Sequence, residues 1–309
     1  MLNLLEPKRT NYDIHFRIGS IPVRIHPLFW LIPLLLGIRP DVKPLYSFIW
    51  LAVVTVSILL HEMGHALAIR YYGYRPWITL YGLGGLASYN PEEEFGYDPV
   101  FVLGEHLRRY RNTRRDVVIA LAGPMAGFLF AGLIIGGIWL SNIWNSGAQI
   151  YFGWDLAGGR LLQWQIQGVS NAALKQTLEY LLYINIFWGL VNLLPIFPLD
   201  GGQISRALLT ARLGSQGLGT SFRLGLIAGI GMVAISLLLW PKEQKLFGAI
   251  MFGILAFQNY QFLRGFQTYG GDIFEGGGGG GSRRRASWDD DEDRGPRQPW
   301  ETDDRDERW

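Results

Sequence analysis

Apolar residues gather into long blocks along this chain, and a block of roughly 20 is what a helix needs to cross a hydrocarbon core of about 30 Å. Four stretches reach that length: Tyr46 to Ile69, Asp116 to Leu140, Thr177 to Phe197 and Ser221 to Trp240. Leu246 to Leu263 is a slightly shorter fifth. Pro27 to Ile38 is a sixth, but its dozen residues would cover only about 18 Å as a straight helix and Pro33 interrupts them. Two other segments carry a different pattern. His15 to Ile25 (HFRIGSIPVRI) alternates around Gly19-Ser20 as a short hairpin does, and Trp77 to Tyr89 (WITLYGLGGLASY) sets β-prone residues around glycines. Both predict strands at the cytoplasmic membrane face. Gly276 to Gly281 reads as a flexible linker, and the Arg, Asp and Glu mixture beyond it cannot bury enough apolar surface to fold alone. The expected fold is an all-α polytopic membrane protein of about six transmembrane helices, with short β segments at the cytoplasmic face and a disordered C-terminal tail. It divides into an N-terminal segment (1–26), a membrane-embedded domain (27–264) and a linker with its tail (265–309).

Charge tests that count. Of 309 residues 49% are hydrophobic and 17% charged, and the net charge of +2 argues against a nucleic-acid partner. The modest mean hydropathy of +0.13 owes much to the tail, where seven Arg face ten Asp and Glu after Ser282 and leave the preceding body at +5. With six spans and a cytoplasmic N-terminus, 22 Lys and Arg fall inside and six outside, as the positive-inside rule requires. Seven of the 22 lie in the tail, where distance weakens the rule, and without them the ratio is still 15 to 6. Both termini are then expected in the cytoplasm. There is no cysteine, so disulfides, thiolate metal sites and cysteine nucleophiles are excluded, and only five histidines can serve a borderline metal.

Two of those histidines stand in one helical turn. In His61-Glu62-Met63-Gly64-His65 the imidazoles lie four apart on one face, and Glu62 lies one position round. This is the H-E-x-x-H arrangement, in which two histidines hold zinc and the glutamate takes a proton from water. A bland alternative is a buried histidine pair satisfied by neighbouring hydroxyls. Against it stands the cost of placing charges in hydrocarbon, about 2.5 kcal/mol or more each, which marks intramembrane ionisable clusters as functional. Catalytic zinc needs a third protein ligand, and Asp200 is the candidate. It follows the fourth long apolar stretch in NLLPIFPLDGG, and with six spans it reaches the same membrane face as His65. His106, among Arg108, Arg109 and Arg111, and the Glu92 to Glu94 run read as solvated flanks.

HEMGH at His61 to His65 and NLLPIFPLDGG at Asn192 to Gly202 resemble the two motifs of the site-2 protease family of intramembrane zinc metalloproteases. LAGPMAG at Leu121 to Gly127 is similar to that family's Ala-Gly-Pro segment, and IPVRIHPLFW from Ile21 resembles the start of some bacterial and archaeal members. The resemblance implies that His61, His65 and Asp200 hold one zinc ion, that Glu62 is the catalytic base, and that Asn192 contacts substrate or the oxyanion. It implies transmembrane protein substrates cut within a lipid bilayer, in a prokaryotic cell membrane. Gly127 departs from the pattern, standing where many members have Asn, and no PDZ or CBS module is present. A non-proteolytic binding or chaperone-like protein of the same fold is the alternative, which the full set of ligands and Glu62 disfavours. A different H-E-x-x-H peptidase with a glutamate ligand finds few candidates, since Glu179 and Glu243 fall toward the outer side.

Overall fold

The computed structural model describes residues 9–37, 43–82, 84–89, 113–144, 149–155, 160–240 and 242–274. The Gly276 to Gly281 linker, the charged tail, His106 and Glu92 to Glu94 lie outside the described residues.

The two expected hairpins form, and they join. β1 (Ile14–Ile18) and β2 (Ile21–Ile25) pair antiparallel across Gly19, whose φ of 59° is one that glycine adopts without a Cβ penalty. β3 (Pro76–Tyr81) pairs antiparallel with β4 (Gly84–Tyr89). What the sequence pattern did not show is that β2 runs parallel to β3, with Val23 opposite Ile78 and Ile25 opposite Leu80, giving one sheet in the order β1-β2-β3-β4. The reason is shared burial. Ile21, Val23, Ile25, Ile78 and Leu80 all pack into one core with Phe29 and Ala66.

A 3₁₀ turn (Pro27–Trp30) leads into the short helix α1 (Leu31–Gly37), which runs beside the start of α2 (Pro44–Tyr71). Trp50 donates its indole N–H to the Pro33 carbonyl at 3.0 Å, and the Ser47 hydroxyl donates to Gly37 at 2.8 Å. α3 (Thr113–Trp144) follows, then a β5 (Gln149–Asp155) and β6 (Arg160–Gln167) hairpin. α4 (Ala172–Tyr183) passes through a π-helical turn (Ile184–Trp188) into a last turn (Gly189–Asn192). α5 (Asp200–Leu213), α6 (Ser215–Leu239) and α7 (Lys242–Phe274) complete the order.

Among the described residues, four helices are long and apolar enough to cross a membrane: Pro44–Tyr71, Thr113–Ser141, Gln216–Leu239 and Lys245–Phe266. They expose apolar side chains that water would penalise, among them Leu133 at 73% and Leu238 at 75%. Six such helices were expected. Thr177 to Phe197 is interrupted by the π turn and by the loop after Asn192, and the described part of Pro27 to Ile38 is a 3₁₀ turn and one short helix that contains Pro33 in its first turn rather than breaking there. The β5–β6 hairpin was not expected, although Gln163-Trp-Gln-Ile-Gln167 alternates with a period of two. Ile166 of β6 is buried against Ala131, Ile138 and Leu182, and its N–H donates to the Glu179 carboxylate at 3.0 Å.

Candidate metal centre

α2 is helical throughout the HEMGH turn, so His61 and His65 stack one turn apart with ring centroids 4.8 Å from each other. Their Nε2 atoms are 3.1 Å apart. Asp200, the first residue of α5, meets this pair from 139 residues downstream of His61. Its Oδ2 lies 3.1 Å from His61 Nε2 and its Oδ1 lies 3.3 Å from His65 Nε2. A zinc ion with ligands at about 2.0 to 2.1 Å in tetrahedral array separates neighbouring ligand atoms by about 3.3 Å. The two imidazole nitrogens are separated by about that distance, and a carboxylate oxygen approaches each of them as closely, so the donor set fits the metal by chemistry and brings its ligand atoms within reach of one ion. Among the described residues this is the group of histidines and carboxylates whose ligand atoms converge, all within 4.8 Å.

Two of the three ligands are held from outside. The His65 Nδ1–H donates to the Ile119 carbonyl of α3 at 2.7 Å, which leaves Nε2 with its lone pair toward the cluster. Asp200 sits at a helix N-terminus, where the unpaired N–H groups of the first turn favour a carboxylate. Gly201 and Gly202 press that terminus against the preceding loop: a Cβ on Gly201 would fall 2.0 Å from the Leu193 carbonyl oxygen, and one on Gly202 2.4 Å from Ile196. Glu62 is buried beside the pair, with 6% of its surface exposed, and faces the backbone N–H of Ala87 in β4.

Two glycines let backbone into contact with the centre. A Cβ on Gly123 of α3 would stand 2.2 Å from His65 Nε2 and 2.7 Å from His61 Nε2. A Cβ on Gly85 of β4 would stand 2.3 Å from Glu62 Cγ and 2.6 Å from its Oε1. Thus α3 walls one side of the metal cluster, and β4, the edge strand of its sheet, covers the glutamate. The Gly123-Pro124 pair reads in sequence as a kink, yet α3 runs through it from Thr113 to Trp144 and the space is used by imidazole. Asn192 is buried at 8% exposure in the last turn before the loop that delivers Asp200.

Sequence reasoning passed over a buried amide one turn from the site. Asn185, in the π turn, donates to the Ser57 hydroxyl at 2.9 Å, and Ser57 stands four residues before His61 on α2. Gly127 gives Asn185 its room, since a Cβ there would lie 3.4 Å from Asn185 Oδ1. A lone asparagine within an apolar run was the available signal.

The model of peptidase family M50 matches residues 49–236, from the start of α2 almost to the end of α6. Over 207 residues the chain is 26% identical to a zinc metalloprotease of Methanocaldococcus jannaschii, covering 66% of this chain and 48% of that protein. Over 197 residues it is 24% identical to stage IV sporulation protein FB of Bacillus subtilis, covering 63% and 50%. The chain therefore spans about half the length of the curated relatives it matches. The solved site-2 protease from Methanocaldococcus jannaschii aligns over 82% of this chain and 96% of that one, with a TM-score of 0.46 and 23% identity.

Proposed function

Because the chain belongs to peptidase family M50, the site-2 protease family, we propose that it is an intramembrane zinc endopeptidase that cuts transmembrane segments of other proteins. The observation that carries the reading is the convergence of ligand atoms of His61, His65 and Asp200 within 4.8 Å of one another, with Glu62 at the position after His61 on the same helix. His61 and His65 through Nε2 and Asp200 through its carboxylate would hold one zinc ion. When bound, zinc supplies Lewis acidity, lowering the pKa of a water it holds to about 7 and polarising a carbonyl oxygen. Glu62 takes a proton from the attacking water on a carboxylate oxygen and returns it to the amine nitrogen that leaves. The Ala87 N–H holds that carboxylate, and Gly85 keeps side chains from crowding it. Asn192 contacts the substrate or the developing oxyanion.

A transmembrane substrate hides its carbonyls in helical hydrogen bonds, so it must be drawn out before it is cut. Among the described residues β4 pairs with a strand on one side only, and an extended peptide added to its other side would present its carbonyls to the centre beside Glu62. Both termini lie in the cytoplasm on this reading, supported by the distribution of Lys and Arg between alternate loops. The test is a purified protein reconstituted with a transmembrane substrate. Glu62→Gln should keep its zinc and lose cleavage by about 10² to 10⁴-fold, the range of general base catalysis. Equal cutting by both proteins would remove Glu62 from the mechanism.

A further inference from the structure

The family match ends at residue 236, so it leaves α7 without an assigned task. Within that helix Asn259 has no exposed surface. An asparagine lodged in an apolar, membrane-length helix carries a cost that ordinary packing does not offset. Its amide is aimed at the loop that delivers Asp200. Nδ2 donates to the Phe197 carbonyl at 2.7 Å and to the Leu255 carbonyl of its own helix at 2.8 Å. Two carbonyl oxygens can be met only by the NH₂ end, so the orientation of the amide is fixed, and Oδ1 is left with no hydrogen-bond partner among the described residues. Oδ1 faces α6, where a Cβ on Gly225 would lie 2.2 Å from it and 3.3 Å from the Pro195 carbonyl oxygen.

The same loop residue is gripped by its ring. Phe197 packs edge-on against Phe222 of α6 and Phe262 of α7, with centroids 6.0 and 5.3 Å away, and the Arg206 guanidinium of α5 lies 5.1 Å over its face. Three residues later comes Asp200. We propose that Asn259 is a positioning residue: through the Phe197 carbonyl it fixes the loop that sets the Asp200 carboxylate against His61 and His65, with Gly225 keeping the space that its Oδ1 occupies. The last helix is thereby part of the metal centre without touching the metal. This rests on the zinc reading above.

The experiment substitutes Co²⁺ for zinc in the full-length protein, in detergent, and records the visible ligand-field spectrum together with the dissociation constant from chelator competition. Wild type should bind one Co²⁺ with a tetrahedral spectrum. Asn259→Leu, which keeps the branched outline and removes the donor, should shift the bands and weaken binding by about tenfold, the lower end of what outer supports of metal ligands contribute. Gly225→Ala, which pushes on the amide from the other side, should do the same, and the double variant should be no worse than either alone because both act through one contact. Should Asn259→Leu fail to fold, Gly225→Ala carries the same spectral test. Spectra and affinities identical to wild type in the folded variants would overturn the role of Asn259 while leaving the zinc reading intact. A wild-type protein that takes up no Co²⁺ or Zn²⁺ would overturn both.

Discussion

A single methyl group at Gly123 puts the metal reading under direct strain. In Gly123→Ala the new carbon would start 2.2 Å from His65 Nε2 and 2.7 Å from His61 Nε2, whereas ordinary contact begins at 3.4 Å. Something must move by about 1.2 Å at one ring and 0.7 Å at the other. The rings cannot retreat freely, since His65 is tied through Nδ1 to the Ile119 carbonyl of the same α3 that carries the methyl. Disturbing the support that orients metal ligands costs about 10- to 100-fold in metal affinity, and a displacement of this size at a ligand itself belongs at the upper end. Zinc affinity should therefore fall by about 10²-fold, or about 2.7 kcal/mol. The fold should not suffer in proportion, because alanine is favoured over glycine inside a helix by about 1 kcal/mol, which offsets part of the overpacking. Gly132→Ala on the same helix is the control, with nothing within 4 Å of its Cβ position. The assay is chelator competition for zinc on both purified variants, with thermal melting alongside. Gly123→Ala binding zinc within twofold of Gly132→Ala would show that the metal does not sit between the two imidazoles.

Two further outcomes separate the parts of the site. Asp200→Asn replaces a charged ligand by a neutral amide of the same shape, and elemental analysis should find most of the zinc gone; stoichiometric zinc would mean that another group completes the set. Gly85→Ala would drive a methyl to 2.6 Å from Glu62 Oε1, its three nearest neighbours all being atoms of Glu62, so zinc should be retained while kcat for a transmembrane substrate falls by tenfold or more; unchanged kcat would show that Glu62 does not work from the position seen under β4.

The local parts of this site are written in local patterns. His61, Glu62 and His65 are legible because their chemistry depends on the helical repeat alone, and Asp200 because a charged residue directly after a long apolar stretch has few other uses. Three of the four longest apolar blocks and the shorter fifth are legible as spans for the same reason, being defined by composition over one continuous segment, whereas Thr177 to Phe197 met the same test and is not one continuous α-helix. The rest depends on which segments meet. The β2–β3 pairing joins strands some fifty residues apart, and no alternation in either strand specifies its parallel partner. Gly123 and Gly85 carry no side chain to announce a role, and only the neighbouring helix and strand reveal that their bareness is what admits imidazole and carboxylate. Asn259 and Asn185 are polar residues in apolar runs that the sequence reading passed over, and their partners, Phe197 and Ser57, lie on other elements.

The parallel seam between β2 and β3 also constrains how the protein is threaded into its bilayer. Ile25 ends beside Leu80, while α1 has already carried the chain to the level of Ser47 at the opposite end of α2. The polypeptide thus departs from the sheet and returns to it along α2, and the two hairpins are stitched into one sheet. During synthesis the first hairpin must wait, its inner strand lacking a neighbour, until the histidine-bearing helix has been laid down and Pro76 to Tyr81 arrives to close the seam.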